Sequence, residues 1–276
     1  MRTLTHPGPQ SDTRLQLAPC GGRPIAVTLQ SGIPLETAVA QALATEDIDS
    51  AWLTVSGAPF ERLDYVIPDH APDDTHVAWY SQTHTLLNGC ITRLGMIVGT
   101  HNGASFLHGH GLWNADDGPD ALGHVLAPTT VLSEPVFAKG IGLTGAIFER
   151  GPDPETNFDL FHVKARAAEG SDYAALRIAP NQDFSTALDD ALVTLGWASA
   201  DAVGLGSLVG AQFESGATLD SHATEFLITD APIGPDAPPP EIVIVGIDGS
   251  QIKSGRLERG QNAVLVTAEV VLRRTG

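Results

Sequence analysis

The hydrophobic pattern of the chain begins with a strand, a helix and a second strand. The β-branched run Arg23–Leu29 predicts the first strand, and Ala51–Val55 predicts the second. Between them, Pro34 suits the first turn of a helix. The apolar residues that follow have the spacing of one helix face: Leu35, Val39, Ala42 and Leu43. The second strand leads into the sequence GAPFE at Gly57–Glu61.

The same order of patterns recurs in the second part of the chain. Ala175–Ala179 predicts a strand, and Ala202–Val209 predicts another, which is followed by GAQFE at Gly210–Glu214. The apolar positions between them have helical spacing: Phe184, Leu188, Ala191, Leu192 and Leu195. Phe184 lies 149 positions after Leu35, and two further members of the stripe keep that offset. The sequence therefore predicts an internal duplication.

Many short strands with one clear helix per copy predict an α+β fold. We expect two tandem copies of a mainly antiparallel sheet, each with one principal helix. Residues 1–20 are polar and Pro-rich and are expected to form an irregular arm. The first domain is expected at residues 21–148 and the second at residues 157–276, with a boundary in the Pro/Asp-rich segment Glu149–Thr156.

The first copy continues into a histidine-rich hairpin, Phe106–His124, with the sequence FLHGHGLWNADDGPDALGH. Side chains at i and i+2 of a strand point to the same face, so His108 and His110 present two imidazoles side by side. A hairpin through the acidic turn returns His124 towards them. Three neutral imidazoles on one face are typical of a catalytic-type metal site whose fourth position is open.

The register of this hairpin decides whether the three histidines can meet. A tight two-residue turn at Asp117-Gly118 would place His124 opposite Gly111, on the wrong face. A longer, odd-numbered loop centred at Asp117, or a bulge, places His124 opposite His110. The metal site therefore predicts the longer loop or the bulge.

The second copy lacks the histidines. When the copies are aligned on Ser133-Glu134 and Ala268-Glu269, aliphatic residues near Val243 and Val245 stand where the first copy has His108 and His110, and Arg256 stands near the place of His124. Because the fold forms without imidazoles there, packing alone does not require them.

Three further residues are candidates for the site. Glu134 is a candidate ligand or general base on a metal-bound water, but Glu269 at the equivalent place in the histidine-free copy favours a structural role equally. His101, in a Gly/Asn-rich turn, is a candidate rim residue. Arg93, on the strand before the hairpin, is a candidate anchor for an anionic substrate, and the alternative is a surface charge.

Composition narrows the classes of partner. The chain has 15 Lys+Arg against 33 Asp+Glu, a net charge of −18, which repels phosphate backbones and makes nucleic acid an improbable partner. Two cysteines exclude a disulfide framework and suggest a reducing, cytoplasmic location. The sequence contains no apolar run long enough to predict a signal peptide or a membrane span.

These motifs together resemble the PPC (plants-and-prokaryotes-conserved, or PCC) domain. The resemblance rests on the strand-helix-strand unit, the segment LNGCITRLG at Leu87–Gly95, the HxH pair, the acidic turn and the Gly-His that follows. It is good over about Arg23–Phe137 and weaker over about Ala174–Leu272, and the sequence Leu122-Gly123-His124 departs from the family's usual Gly-Gly-His. The resemblance implies a curved, mostly antiparallel sheet or half-barrel in each copy.

The resemblance also implies that the metal is zinc, with His108, His110 and His124 as its ligands. The same broad fold group contains acetolactate decarboxylase-like zinc enzymes. Family members commonly assemble as homotrimers, which implies a homo-oligomer with a trimer favoured, although tandem copies exclude a simple ring of three single domains. Plant members join this domain to AT-hooks, but this chain has none.

The sequence thus predicts a cytoplasmic, zinc-binding tandem PPC protein that acts on or senses a small anionic metabolite. If it is an enzyme, the metal would serve as a Lewis acid in lyase or hydrolase chemistry. The alternative is a non-catalytic oligomeric scaffold or regulatory module, in which the second copy serves assembly. DNA binding is the third alternative.

Overall fold

The computed structural model describes residues 1–115, 118–167 and 170–276. We call residues 15–165 the first half and residues 173–276 the second half. The first half contains β1 (Leu15–Leu29), α1 (Leu35–Ala44), β2 (Ala51–Val66), β3 (Pro68–Asp69), β4 (Trp79–Tyr80), β5 (His84–His101), β6 (Ala104–Ala115), β7 (Ala121–Val125), β8 (Val131–Leu132), β9 (Val136–Thr144), β10 (Ala146–Pro152) and β11 (Asp159–Ala165).

The second half has fewer and shorter elements. It contains β12 (Tyr173–Ile178), α2 (Phe184–Leu195), β13 (Ala200–Leu208), β14 (Ala211–Gln212), β15 (Thr218–Leu219), β16 (Thr224–Asp230), β17 (Pro232–Ile233), β18 (Glu241–Gly246), β19 (Ile252–Arg256) and β20 (Val264–Arg274). No helix of the described residues is long and apolar enough to cross a membrane.

The two halves repeat one series of antiparallel strand pairs. In the first half the series is β1-β9-β2-β5-β6-β7, and in the second half it is β12-β20-β13-β16-β18-β19. Both helices begin at the same offset, at Leu35 and Phe184, and the strands after them begin at Ala51 and Ala200. The predicted helix in each copy and the mainly antiparallel sheet are therefore confirmed.

One long strand joins the halves into a single sheet. The first part of β1 pairs with β12 from Leu15 to Cys20, and the rest pairs with β9 from Gly21 to Leu29. The main sheet consequently has 16 strands, and its first-half and second-half parts, called the two sheets below, are continuous through β1. They do not form two clear half-barrels of the kind expected from the sequence. The expected irregular arm is also wrong for Leu15–Cys20, because Leu15 and Leu17 pack against the hydrophobic core of the second half.

Two other boundaries differ from expectation. The segment Glu149–Thr156 begins inside β10, which forms a hairpin with β11 and adds to the first-half sheet beside β5. The segment after the histidine hairpin forms two strands, β8 and β9, separated at Ser133–Pro135. The proline-rich loop Asp230–Pro240 contains the short strand β17, which pairs with the edge of β13.

Three hydrophobic clusters hold the layers together. Helix α1 packs on the first-half sheet around Leu35 and Val39, and α2 packs on the second-half sheet around Phe184 and Leu188. Asp183 is the N-cap of α2, and its side chain accepts a hydrogen bond from the Thr186 backbone N–H. A third cluster lies between the two sheets and includes Trp52, Ile97, Leu205, Leu227 and Val271. The order of layers is therefore helix, sheet, sheet, helix.

Candidate metal centre

Three histidines meet where the first-half sheet faces the second half. His108 and His110 lie two residues apart on β6, and His110 pairs directly with His124 on β7. This is the register that the longer loop predicts, and it is confirmed. Asp117, the expected centre of that loop, lies outside the described residues.

The ring nitrogens of the three histidines are close enough to share one ion. One candidate ligand atom from each lies within 4.8 Å of the others, and Nε2 of His108 is 3.0 Å from Nε2 of His110. Around a tetrahedral zinc ion with Zn–N bonds of about 2.0–2.1 Å, neighbouring nitrogens are about 3.3 Å apart. The His108–His110 pair is near that spacing, and His124 needs a small shift to reach it.

His108 and His110 each use Nδ1 for a hydrogen bond, which leaves Nε2 of both rings free to bind a metal. Nδ1 of His108 lies 2.6 Å from Oε2 of Glu269, and Nδ1 of His110 lies 2.9 Å from the Phe226 carbonyl oxygen. Because both partners are acceptors, each Nδ1 carries a hydrogen, and each neutral ring has its lone pair on Nε2. Two lone pairs 3.0 Å apart repel each other, so the pair needs a cation between them, a proton or a metal ion.

The third histidine contributes an unpaired nitrogen. Nδ1 of His124 is buried and has no hydrogen-bond partner among the described residues. Its ring lies 4.8 Å from the His108 ring and 5.5 Å from that of Tyr80. A buried nitrogen without a partner is costly, and coordination of a metal ion would satisfy it. The donor set of three imidazoles therefore fits zinc.

Two of the three imidazoles are held in the neutral form. Burial lowers the pKa of His110 well below 6.5, and the neighbouring His108 and His124 lower it further. Burial also lowers the pKa of His124 well below 6.5, assisted by His108 and Arg150. Metal ions bind neutral imidazole, so these two rings are ready to bind at neutral pH.

A chain of buried polar groups from the second half supports His108. Oε1 of Glu269 accepts a hydrogen bond of 3.1 Å from the Thr267 hydroxyl. That hydroxyl in turn accepts one of 3.3 Å from Nε of Arg177. Arg177 also donates to Asp153 at 2.7 Å. Glu269 is therefore fixed at both oxygens.

Glu225 of the second half approaches the histidines from another side. Its side chain is buried, and Oε1 lies 4.0 Å from Nε2 of His110. The other oxygen, Oε2, has no hydrogen-bond partner within the described part of the chain. Burial raises the pKa of Glu225 well above its usual value, and the His124 backbone N–H opposes that rise.

Two cavities adjoin the histidine cluster. The larger, about 230 Å³, is lined by His108, His124, Arg150, Asp159 and Glu269 together with Tyr80 and apolar residues. The smaller, about 60 Å³, contains His108, His110 and Glu225. Arg150 is half-buried, with its guanidinium 4.9 Å above the Phe106 ring and 3.4 Å from Asp159. The lining of the larger cavity thus combines two histidines with the cation of Arg150, which Asp159 partly neutralises.

Of the other expected site residues, one lies near the cluster. His101 has Nδ1 3.4 Å from Arg150 and so stands behind the residue that lines the larger cavity. Arg93 is exposed on β5 and pairs with Leu112 and Ser56. Within the described part of the chain, it does not line either cavity.

Glu134 lies in an exposed bend between β8 and β9, and among the described residues it does not line either cavity. Strand pairing also gives it a different partner from the expected one. Thr28 pairs with Phe137, and Arg177, 149 positions after Thr28, pairs with Glu269. Phe137 is therefore the structural equivalent of Glu269.

In the second half, an ion pair occupies the position that corresponds to the His110–His124 pair of the first half. His110 and His124 are the first pair of the β6–β7 ladder, and Glu241 and Arg256 are the first pair of the corresponding β18–β19 ladder. The Arg256 guanidinium lies 3.6 Å from the Glu241 carboxylate. The correspondence of Arg256 with His124 is confirmed, whereas Glu241 rather than Val245 matches His110.

Sequence reasoning missed three groups at the site. Arg150 lies on β10, within the segment that was expected to be a domain boundary, and Glu225 and Glu269 belong to the half without the histidine cluster. Glu269 had been singled out as a match for Glu134, but its contact with His108 joins residues 161 positions apart. No local pattern in the sequence indicates that contact.

Comparison with models of protein families finds no match, and comparison with curated proteins finds no relative. Three solved structures are similar in part. A putative DNA-binding protein from Ralstonia eutropha JMP134 is 16% identical and has a TM-score of 0.37, with 50% of this chain and 90% of that chain covered. A metal-containing protein from Archaeoglobus fulgidus is 20% identical, with a TM-score of 0.39 and coverage of 51% and 94%.

The third is a plant- and prokaryote-conserved (PPC) protein from Pyrococcus horikoshii. It is 17% identical and has a TM-score of 0.39, and the alignment covers 55% of this chain and 97% of that chain. At these identities and TM-scores, the similarities establish neither the family nor the function of this chain.

Proposed function

We propose that this chain binds a zinc ion through His108, His110 and His124. The observation that carries the proposal is the convergence of three histidines whose candidate ligand atoms lie within 4.8 Å of one another. Two of them have Nδ1 held by acceptors, so that Nε2 points into the cluster. Metal-bound histidines commonly donate their second ring N–H in this way.

Zinc fits this donor set better than harder metals do. Imidazole nitrogen suits zinc, copper, iron and nickel, whereas magnesium and calcium prefer oxygen ligands. Three histidines are the protein ligands of one type of catalytic zinc site. The PPC resemblance of the HxH and Gly-His motifs independently favours zinc.

The ligand that fits the larger cavity is a small anionic metabolite, which the protein acts on or senses. The volume of about 230 Å³ is below the range of roughly 300–1,000 Å³ that is usual for drug-sized ligands. Arg150 can bind a carboxylate through its planar fork of N–H donors. It replaces Arg93 as the proposed anchor, since Arg93 is exposed on another part of the sheet.

In this proposal the residues of the chain bind and orient the metabolite. Arg150 holds its anionic group, Phe106 and Phe161 exclude water from the cavity, and Glu269 keeps His108 in its metal-binding orientation. A bound zinc ion would supply Lewis-acid polarisation of a carbonyl or carboxylate.

We further propose that the two halves are tandem PPC-like domains produced by duplication. The repeated series of strand pairs and the constant offset of 149 positions between the two helix starts support this interpretation. The half that lacks the histidine cluster contributes carboxylates to the site of the other half.

Assembly and location follow from the same interpretation. The PPC resemblance favours a homo-oligomer, and a trimer is the first expectation to test by analytical ultracentrifugation. The two free cysteines, Cys20 and Cys90, suit a reducing cytoplasm. Binding of nucleic acid is the least supported alternative because the net charge is −18.

The metabolite is tested with a defined probe. Oxalate is titrated calorimetrically into the zinc-loaded full chain and into the Arg150→Gln variant, with Arg93→Gln as the matched control. Binding that requires Arg150 and zinc but not Arg93 supports the proposal. Equal binding by the wild type and Arg150→Gln contradicts it.

A further inference from the structure

Glu225 is buried at the junction of the two halves with one oxygen unsatisfied. It lies on β16 of the second half, and its side chain is 7% exposed. Oε1 faces Nε2 of His110 at 4.0 Å, and Oε2 has no hydrogen-bond partner among the described residues. A buried carboxylate is strongly disfavoured unless it is paired with a cation or with hydrogen-bond donors.

Other acidic groups near the cluster are already committed. Both oxygens of Glu269 are occupied, one by Nδ1 of His108 and the other by the Thr267 hydroxyl. Asp159 lies across the larger cavity, where it pairs with Arg150. Among these carboxylates, Glu225 has an unpartnered oxygen, Oε2, and its other oxygen, Oε1, is 4.0 Å from Nε2 of His110.

We propose that Glu225 is the fourth protein ligand of the metal ion held by His108, His110 and His124. This rests on the proposed function, since it requires the metal. A carboxylate oxygen is a normal zinc ligand at about 2.0–2.2 Å, and the negative charge reduces the net charge that the ion brings into a buried site. Movement of the side chain towards Nε2 of His110 completes the set.

One metal ion then binds both halves of the chain. The histidines belong to strands β6 and β7 of the first half, whereas Glu225 belongs to the second. Metal binding consequently stabilises the packing between the two sheets, where Trp52 and Leu227 are buried. This gives the half without the histidine cluster a role in metal binding that a single domain cannot perform.

The test compares the zinc affinity of the full chain with that of Glu225→Gln, measured by competition with a chromophoric chelator. We expect the variant to bind zinc at least about 100-fold more weakly, because an amide is a poor neutral ligand. Glu241→Gln, which changes a half-buried carboxylate of the same half that lies outside both cavities, is the matched control and should be unchanged. Zinc affinity of Glu225→Gln within about 3-fold of the wild type would overturn the proposal.

Cobalt replaces zinc in a second measurement that does not depend on affinity. The visible absorption bands of bound Co²⁺ report its ligands, and they should change in Glu225→Gln and stay the same in Glu241→Gln. Identical bands in Glu225→Gln and the wild type also overturn the proposal. Circular dichroism shows whether each variant is folded.

If Glu225→Gln does not fold, X-ray absorption at the zinc edge of the wild type tests whether a carboxylate is bound to the zinc ion. The expected ligand shell has three imidazoles and one carboxylate, with the carboxylate carbon visible beyond it. Three imidazoles with only water oxygen would overturn the proposal. Failure of the wild type to bind any metal would instead contradict the proposed function itself.

Discussion

The carboxylate of Glu269 accepts a 2.6 Å hydrogen bond from Nδ1 of His108, although the two residues are 161 positions apart. Glu269 belongs to the half of the chain that has no histidine cluster, and it is 1% exposed. The contact fixes both the orientation of the His108 ring and the nitrogen that carries its hydrogen. The candidate metal centre therefore depends on the packing of the two halves.

Replacement of Glu269 by Gln should weaken zinc binding without removing it. The amide keeps an acceptor but loses the charge that makes His108 a stronger donor, and changes of this kind typically reduce metal affinity about 10–100-fold. Chelator competition measures the effect. An affinity equal to that of the wild type would show that Glu269 has only a packing role.

Variants of Arg150 and Arg93 should distinguish the residues needed for anion binding from those needed for metal binding. Arg150→Gln is expected to leave zinc affinity within about 3-fold of the wild type and to reduce oxalate affinity at least about 10-fold, since a charged hydrogen bond contributes about 1.5–3 kcal/mol. Arg93→Gln should change neither value. The opposite result, with loss of oxalate binding only in Arg93→Gln, would restore the anchor first expected from the sequence.

The buried pair of Asp153 and Arg177 predicts a loss of stability in acid. The groups are 2.7 Å apart and 6% and 3% exposed. Burial of Asp153 opposes ionisation, but Arg177 and the hydrogen bonds from Thr156 outweigh it, so its pKa lies below the usual 3.8. A carboxyl whose pKa is lower in the folded state stabilises the fold above pH 3.8 and loses that contribution as the pH falls through the folded value.

Urea unfolding between pH 3 and 7 tests this pair. Asp153→Asn should lower the free energy of unfolding at pH 7 by roughly 3–5 kcal/mol, because it leaves Arg177 buried without its partner. Below about pH 4 the difference between variant and wild type should shrink. A difference that is constant over the whole range would mean that Asp153 does not ionise in the folded protein.

Replacing a side chain by alanine should lower stability more in the hydrophobic cluster between the sheets than at an exposed position. Trp52 is 5% exposed and Phe137 is 75% exposed. Trp52→Ala should cost about 3–5 kcal/mol of stability, whereas Phe137→Ala should stay within about 0.5 kcal/mol. Thermal unfolding of both variants provides the comparison, and a larger effect for Phe137 would indicate that its face is covered in an oligomer.

Local patterns predicted the parts of the fold and site that depend on short stretches of chain. The apolar spacing of Leu35 and Val39 located a helix, and the two-residue spacing of His108 and His110 placed both rings on one face. The pairing of His110 with His124 followed from the requirement that the three imidazoles meet. Each of these features involves neighbours within one hairpin or one helix.

The parts that were missed depend on how distant strands meet. Glu134 was chosen because its local sequence resembles that of Glu269, but the strand pairs place Phe137 at the equivalent position. The contribution of Glu225 and Glu269 arises from sheet-on-sheet packing, which hydrophobic periodicity does not specify. The length of β1, which merges the two sheets, likewise reflects the contacts of Leu15 and Leu17 with the second core.

The metal content of the purified full chain tests the central claim most directly. After dialysis against buffer with micromolar zinc, inductively coupled plasma mass spectrometry should find about one zinc ion per chain. His110→Ala, which removes the buried ligand paired with His124, should lose it, while His76→Ala, which removes a half-buried histidine outside the cluster, should keep it. Zinc that is absent from the wild type, or retained in full by His110→Ala, would contradict the assignment of this cluster as a metal centre.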